Sequence, residues 1–336
     1  MSASEAGSAS EAGGKRPTLL ILRALGLGDL LSALPALRAL ADAFPHHRRV
    51  LAIPEALAPL AILTGAVDEV VDARPLAPLD DALVSGVDVA VNLHGKGPQS
   101  HRVLLGAAPG RLISFRHPEV PQSADGPPWY PGEHEVLRWC RLLEAYGIPA
   151  DPERLDLHPP PAELALAAVP EAARGATLIH PGAASASRRW PPDRWAAIAL
   201  REAENGRPVA ITGGPDEVDL ARAVARQAGL EDAAVYAGRT DLTGLVALVA
   251  VAGRVVCGDT GVAHLATALR TPSVVLFGPT PPAEWGPPPD RPWHRALWAG
   301  RRGDPHADSP DPGLLEIRVA DVLAALDALP EVGADV

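Results

Sequence analysis

Three short runs in this sequence place chemically useful residues where local structure would aim them. Val255-Val256-Cys257-Gly258-Asp259-Thr260-Gly261-Val262-Ala263-His264 reads as a β-branched strand that stops at Gly258, turns, and opens a helix. Asp259 and Thr260 fall where a helix N-cap falls. The first N–H groups of that helix, near Thr260 and Gly261, face outward at the positive end of the helix dipole. Gly258 and Gly261 lack a Cβ, so a ligand could approach. Such a turn suits an anion, and a diphosphate in particular. The same residues also make an ordinary capped helix.

The second run is His180-Pro181-Gly182-Ala183-Ala184-Ser185-Ala186-Ser187-Arg188-Arg189-Trp190-Pro191, which follows the strand Thr177-Leu178-Ile179. Ser185 and Ser187 supply hydroxyl donors, and a guanidinium at Arg188 matches phosphate oxygens. Read blandly, Arg188-Arg189 is a basic pair in solvent. The third run is Ala24-Leu25-Gly26-Leu27-Gly28-Asp29, after the first strand, Thr18 to Arg23. Asp29 there is either a carboxylate base at a strand end or a helix cap. A dinucleotide fingerprint would need a third glycine where Leu31 stands, which argues against a nicotinamide enzyme.

Elements that must position these runs alternate strand and helix. Expected strands are Val50–Ile53, Glu69–Asp72, Val87–Leu93, Arg111–Phe115, Pro208–Ile211, Ala234–Tyr236 and Pro272–Phe277. Expected helices run from Leu30 towards Phe44, kinked or begun near Ser32 because of Pro35, and over Glu133–Tyr146, Asp193–Asn205, Pro215–Ala228 and Asp241 to before Gly253. The stretch after Asp290 reads as loop, with a last helix over Val319–Leu329. Four prolines between Asp151 and Pro161 mark a domain boundary, followed by a helix candidate at Ala162–Ala168. The division predicted is a disordered tail over 1–16, a first domain over 17–155, a second over 162–315, and a closing helical segment over 316–330. Both sheets should be mainly parallel.

Ligands in such sheets gather at strand C-terminal ends. The turn Asn92-Leu93-His94-Gly95-Lys96-Gly97 therefore makes His94, Lys96 and Gln99 candidates for a polar acceptor, or solvated loop residues. Glu217, with Asp216 as rival, could hold ribose hydroxyls or merely cap its helix.

Composition narrows the function classes. Acidic residues outnumber basic ones by 41 to 30 in 336 residues, which argues against nucleic acid and against tight binding to an anionic membrane. No apolar run is long enough to span a bilayer. Two cysteines, Cys140 and Cys257, make neither a disulfide scaffold nor a zinc site and suit a reducing cytosol. No D-x-D pair occurs, so positive charge for a departing diphosphate would be carried by the protein, with no metal cofactor.

Taken together, Gly26-Leu27-Gly28-Asp29, Arg188-Arg189-Trp190-Pro191, Gly258-Asp259-Thr260-Gly261-Val262-Ala263-His264 and Phe277-Gly278-Pro279-Thr280 resemble glycosyltransferase family 9, the ADP-heptose:lipopolysaccharide heptosyltransferases. The D-T-G-x-x-H run followed by F-G-P-T is the most specific part. The resemblance implies an α/β fold of GT-B type, two doubly wound Rossmann-like domains facing a central cleft. It implies that the first domain binds acceptor, through Gly28, His94, Lys96 and Gln99, and that the second binds the nucleotide-sugar. The closing helix would fold back on the first domain. Asp29 would be the general base. The donor site would comprise Ser185, Ser187, Arg188, Glu217, Asp259, Thr260, Gly261, His264, Gly278 and Thr280. Partners implied are a nucleotide diphosphate sugar and a cell-envelope glycan or glycolipid, with the protein in the cytoplasm and at most peripheral at the membrane. A transferase for a UDP- or GDP-sugar and a non-catalytic nucleotide-sugar-binding protein remain as alternatives.

Overall fold

Short apolar runs pair side by side in this chain because both of their faces can be buried. The structure is a computed structural model describing residues 16–74, 76–80, 86–158 and 169–330. The helix expected at Ala162–Ala168 and all but the last residue of the expected tail lie outside these residues. In the first half, β1 (Thr18–Leu22), β2 (Arg48–Ile53), β3 (Glu69–Asp72), β4 (Val87–Asn92) and β5 (Arg111–Ile113) form a parallel sheet in the order β3-β2-β1-β4-β5. Leu19 and Ile21 enter one apolar cluster, while Leu20 and Leu22 enter another on the opposite face. Burial on both faces is why these strands read as continuous apolar runs.

After β1 come α1 (Leu27–Ser32) and α2 (Leu34–Ala43). The helical pattern breaks at Ala33, and Pro35 falls in the first turn of α2, where its missing N–H costs no hydrogen bond. Further on are α3 (Ala58–Leu63), α4 (Gln99–Leu105) and α5 (Glu135–Glu144).

The second half repeats the plan. β6 (Thr177–His180), β7 (Val209–Ile211), β8 (Arg254–Gly258), β9 (Ser273–Phe277) and β10 (His294–Trp298) form a parallel sheet in the order β10-β9-β8-β6-β7. Its helices are α6 (Pro192–Glu204), α7 (Val218–Gln227), α8 (Leu242–Val251), α9 (Gly261–Ala268), α10 (Pro282–Trp285), α11 (Pro312–Glu316) and α12 (Val319–Asp327).

Three expectations are corrected here. Ala234–Tyr236 is not a strand: a 3-10 turn at Asp232–Ala234 leads to a single bridge between Val235 and Ile211. β10 lies in the stretch read as loop; it is an edge strand with Arg295 and Ala296 exposed, so it carries no apolar run. α12 packs on α6 and β9, and its Val322 and Leu326 join the core of the second half, not the first. An Arg201–Asp327 ion pair at 3.2 Å sits on that seam.

Chain order reverses between β1 and β4 in the first sheet and between β6 and β8 in the second. A crevice opens at the carboxyl ends of strands at such points. The turns carrying Asp29, Arg188 and Asp259 all leave strands that flank a reversal. One apolar cluster runs through both halves, with α1 lying against α9 and α3 against α8. Among the described residues, no helix is long and apolar enough to cross a membrane.

Candidate functional site

A cleft of about 680 Å³ lies between the two sheets. Asp29, from the first half, and Arg188, Glu217, Asp259, His264 and Thr280, from the second, are among its lining residues.

Asp29 is the third residue of α1, not its cap. Gly26 caps the helix, and its N–H donates to Asp29 Oδ2 at 3.2 Å. That leaves the carboxylate, 27% exposed, at the cleft wall. Burial raises the carboxyl above its ordinary value; the Arg23 guanidinium pulls it down and Glu135 pushes it up. A raised carboxyl suits a proton acceptor near neutral pH.

Across the cleft, the first N–H groups of α9, at Gly261 and Val262, precede any helical acceptor and so remain available to a ligand. Arg188 Nη1 donates to the Asp259 carbonyl at 3.1 Å, and its buried Nε has no partner among the described residues. Arg189 is exposed and turns back to the Ala183 carbonyl at 2.9 Å. Trp190 is buried and donates Nε1 to the Ile317 carbonyl at 3.1 Å, which anchors the loop behind Arg188. The Asp259 carboxyl is pushed up to about 6, chiefly by burial, with Arg188 opposing and Asp29 adding to the rise. The two aspartates therefore sense one another across the cleft.

Glu217 and His180 form the far wall. Glu217 Oε2 accepts from the Gly214 N–H at 2.8 Å and lies 4.0 Å from His180 Nε2. A Cβ at Gly182 would collide with the Glu217 carboxylate. The rival, Asp216, is exposed and does not line the cleft.

The glycines at the cleft have a different task from the one expected. A Cβ at Gly28 would lie 2.8 Å from His264 Cδ2, and one at Gly261 would lie 2.8 Å from Leu27 Cβ. Their missing side chains let α1 and α9 touch end to end. His264 packs edge-on against Trp285, ring centroids 5.9 Å apart, and burial drives its imidazole down to about 4. It is therefore neutral at physiological pH.

Ser185, Ser187 and Gly278 are not brought into the cleft. Ser187 Oγ donates to the Pro305 carbonyl at 2.8 Å, and Ser185 Oγ bonds Ser187 Oγ at 2.9 Å. Gly278 makes room for Leu314 and Asp311. These residues pin the 305–311 segment, which carries Pro305 and His306 over the cleft. His94, Lys96 and Gln99 do not line it either. Asn92 organises their turn, accepting from the His94 N–H at 2.9 Å and donating to Ser100 Oγ at 2.9 Å. His94 is half-buried, held towards its neutral form by burial and then by Arg23, while Lys96 and Gln99 are exposed. Gln99 borders a separate hollow with Leu79 and Arg102.

Sequence reading did not single out Arg23, Glu284, Trp285 or His306 for this site. Arg23 ends an apolar strand and could have been flagged as a charge that burial must pair; Glu284 and Trp285 sit on the single-turn α10, too short to show a periodic pattern, and His306 comes from a turn. Among the described residues, no three His, Cys, Asp or Glu side chains group as a metal ion would require.

The profile of Glycosyltransferase family 9 (heptosyltransferase) matches residues 126–304. Lipopolysaccharide heptosyltransferase 1 of Pseudomonas aeruginosa is 38% identical over 109 residues, covering 32% of this chain and 30% of that protein. Lipopolysaccharide heptosyltransferase 3 of Escherichia coli is 32% identical over 161 residues, covering 45% and 46% respectively. The matched stretches thus span less than half the length of these curated relatives. The solved structure of E. coli ADP-heptose lps heptosyltransferase II superimposes with a TM-score of 0.74 at 21% identity, over 93% of this chain and 98% of that one. The two parallel sheets and their facing cleft are the GT-B fold.

Proposed function

The chain belongs to glycosyltransferase family 9, and from that premise we propose that it transfers a sugar from a nucleotide diphosphate sugar to a hydroxyl of a cell-envelope glycan or glycolipid. The donor is read as ADP-linked and the sugar as a heptose or a related unit, in keeping with the names of the relatives. The single observation that carries this reading is the cleft, which sets Asp29 of one sheet opposite Arg188 and the α9 N-terminus of the other.

The chemistry follows from that opposition. The acceptor hydroxyl attacks the anomeric carbon from the side opposite the diphosphate, so configuration inverts. Its proton passes to the Asp29 carboxylate as the new carbon–oxygen bond forms. The bond to the diphosphate oxygen breaks, and the leaving group keeps the electron pair. Arg188 and the Gly261 and Val262 N–H groups receive that charge, helped by the α9 dipole. Glu217 accepts hydrogen bonds from ribose hydroxyls at the far wall. Protein-borne charge makes a metal ion unnecessary.

Turnover tests the proposal: a panel of ADP-, UDP- and GDP-sugars is offered with candidate acceptors, before and after exhaustive chelation, and products are read by mass. Transfer from an ADP-sugar that survives chelation is expected. Activity lost to chelation and restored by Mg²⁺ or Mn²⁺ would defeat the metal-free mechanism. Tight ADP binding without turnover on any acceptor would leave a nucleotide-sugar-binding protein.

A further inference from the structure

Beneath Asp29 lies a buried ionic network that the transfer reaction, as described, does not use. Arg23 is fully buried at the end of β1. Its Nε donates to the Asp29 carbonyl at 2.6 Å, Nη1 to the Leu93 carbonyl, and Nη2 to Ser32 Oγ and Glu135 Oε1, each at 3.1 Å. None of these hydrogen bonds goes to the Asp29 carboxylate. Its Oδ1 stays 3.7 Å from Nη2, beyond hydrogen-bond reach. Glu135, at the start of α5, is buried and doubly held: Trp139 Nε1 donates to Oε1 at 2.8 Å, and Arg138 Nη1 to Oε2. The Trp139 ring also lies 4.9 Å from the Arg23 guanidinium carbon.

We propose that Glu135 is a positioning residue for transfer: by taking the Arg23 guanidinium in a hydrogen-bonded pair, it keeps that cation from closing onto the Asp29 carboxylate, which stays free to accept the acceptor's proton. The inference rests on the reading of Asp29 as general base. A buried guanidinium must be paired. If Asp29 were its only anion, the two would close into a charge-assisted hydrogen bond, and the carboxylate would become a weaker base. Glu135 supplies that pairing from a third element, while Arg23 still grips the backbone of α1 through the Asp29 carbonyl. Orientation and basicity are thus separated: one cation fixes where the base stands, and a second carboxylate keeps that cation from quenching it. Burial is the main cause of the rise of the Asp29 carboxyl; Arg23 opposes it, and Glu135 offsets part of that pull.

The charged and titratable groups facing Asp29 are Arg23 after β1, Glu135 on α5 and Asp259 after β8. His264 on α9 and His94 after β4 adjoin the same network, and burial holds both towards the neutral form. Loss of the Glu135 charge would drive His264 further in that direction, so His264 would not produce the change expected below.

Glu135→Gln keeps the size of the side chain and the Oε1 acceptor but removes the charge. Expected are a several-fold lower kcat at neutral pH, an acid limb of the kcat profile moved down by roughly one pH unit, and unchanged ADP affinity by calorimetry. Trp139→Phe, which removes one hydrogen bond and no charge, should leave the limb in place. A folded Glu135→Gln enzyme with the parental limb, or a Trp139→Phe enzyme whose limb moves as far, would overturn the proposal. If Glu135→Gln does not fold, Arg138→Gln decides, because loss of the second cation should move the limb up; a limb that stays or falls sinks the idea. Asp29→Asn separates the two levels. If that variant retains turnover, the base assignment fails. If it is inactive while the Glu135→Gln limb is unmoved, only the role of Glu135 fails.

Discussion

Gly261→Ala puts one carbon between the two halves of the molecule. The new Cβ would stand 2.8 Å from Leu27 Cβ, 2.9 Å from Cγ and 3.0 Å from Cδ2. Carbons rest at about 3.5–4.0 Å, so α1 and α9 must part by roughly 1 Å. Leu27 Cβ is fixed by the backbone of α1 and cannot swing aside. Alanine is otherwise the better helix residue, worth up to about 1 kcal/mol in a helix interior and less at the first position. Overpacking of this kind costs about 1–3 kcal/mol, so a modest net loss of stability in urea unfolding is expected. Catalysis should suffer more. Asp29 lies two residues beyond Leu27 on the same turn of α1, and a displacement of about 1 Å at a reacting group can cost about 10²-fold in rate. Steady-state transfer should show that loss in kcat, with ADP affinity changed far less because Arg188 and Glu217 stay in the second half. Leu27→Gly in the same chain removes the opposing Cβ and should recover part of the rate. A Gly261→Ala enzyme with parental stability and parental kcat would refute the reasoning, since the close contact of α1 and α9 would then be no part of the reactive state.

Three further outcomes are expected. Asp29→Asn should lower kcat by about 10²–10⁴-fold and leave ADP binding nearly intact; turnover close to the parent would return Asp29 to a structural role in α1. Arg188→Ala should weaken ADP binding by about 1.5–3 kcal/mol in calorimetry, whereas Arg189→Ala, which faces solvent, should bind as the parent does; the reverse pattern would shift the phosphate contact by one residue. Asp259→Asn should show a pH-dependent gain in stability. The Asp259 carboxyl titrates at about 6 in the fold against an ordinary 3.8, so the folded state holds its proton longer than the unfolded chain. Its contribution is present below pH 4 and is lost as pH rises through 6. Unfolding in urea should therefore find parent and variant alike in that respect at low pH and the variant more stable at pH 8, by an amount on the order of 1–3 kcal/mol; equal stability at pH 8 would mean that Asp259 carries its charge in the fold at little cost.

Much of the architecture was legible because burial on both faces writes itself into a parallel strand as an unbroken apolar run. β1, β8 and β9 are each located within a residue or two for that reason. β10 is not, because an edge strand such as His294–Trp298 buries little and leaves no such run. The bridge at Val235 reads as a strand in the sequence because a short apolar stretch with one β-branched residue also suits a turn that makes one ladder contact. Local turn chemistry likewise marked Asp29, Arg188, Glu217, Asp259 and His264 as residues at strand ends, and strand ends in this topology converge.

What the sequence by itself determined, then, was which turns carry donors, acceptors and charge. The tertiary structure decided which of those side chains share one space. Ser185 and Ser187 sit three residues and one residue before Arg188 yet direct their hydroxyls to the 305–307 backbone, because that segment returns from more than a hundred residues away to cover them. Gly28 and Gly261 serve the meeting of two helices from different halves, a contact that neither local run encodes. The setting of the base is decided in the same way: Arg23, Asp29 and Glu135 belong to segments whose closeness exists only once the first sheet and α5 have packed, and electrostatics at 3–4 Å depends on that packing and not on sequence spacing.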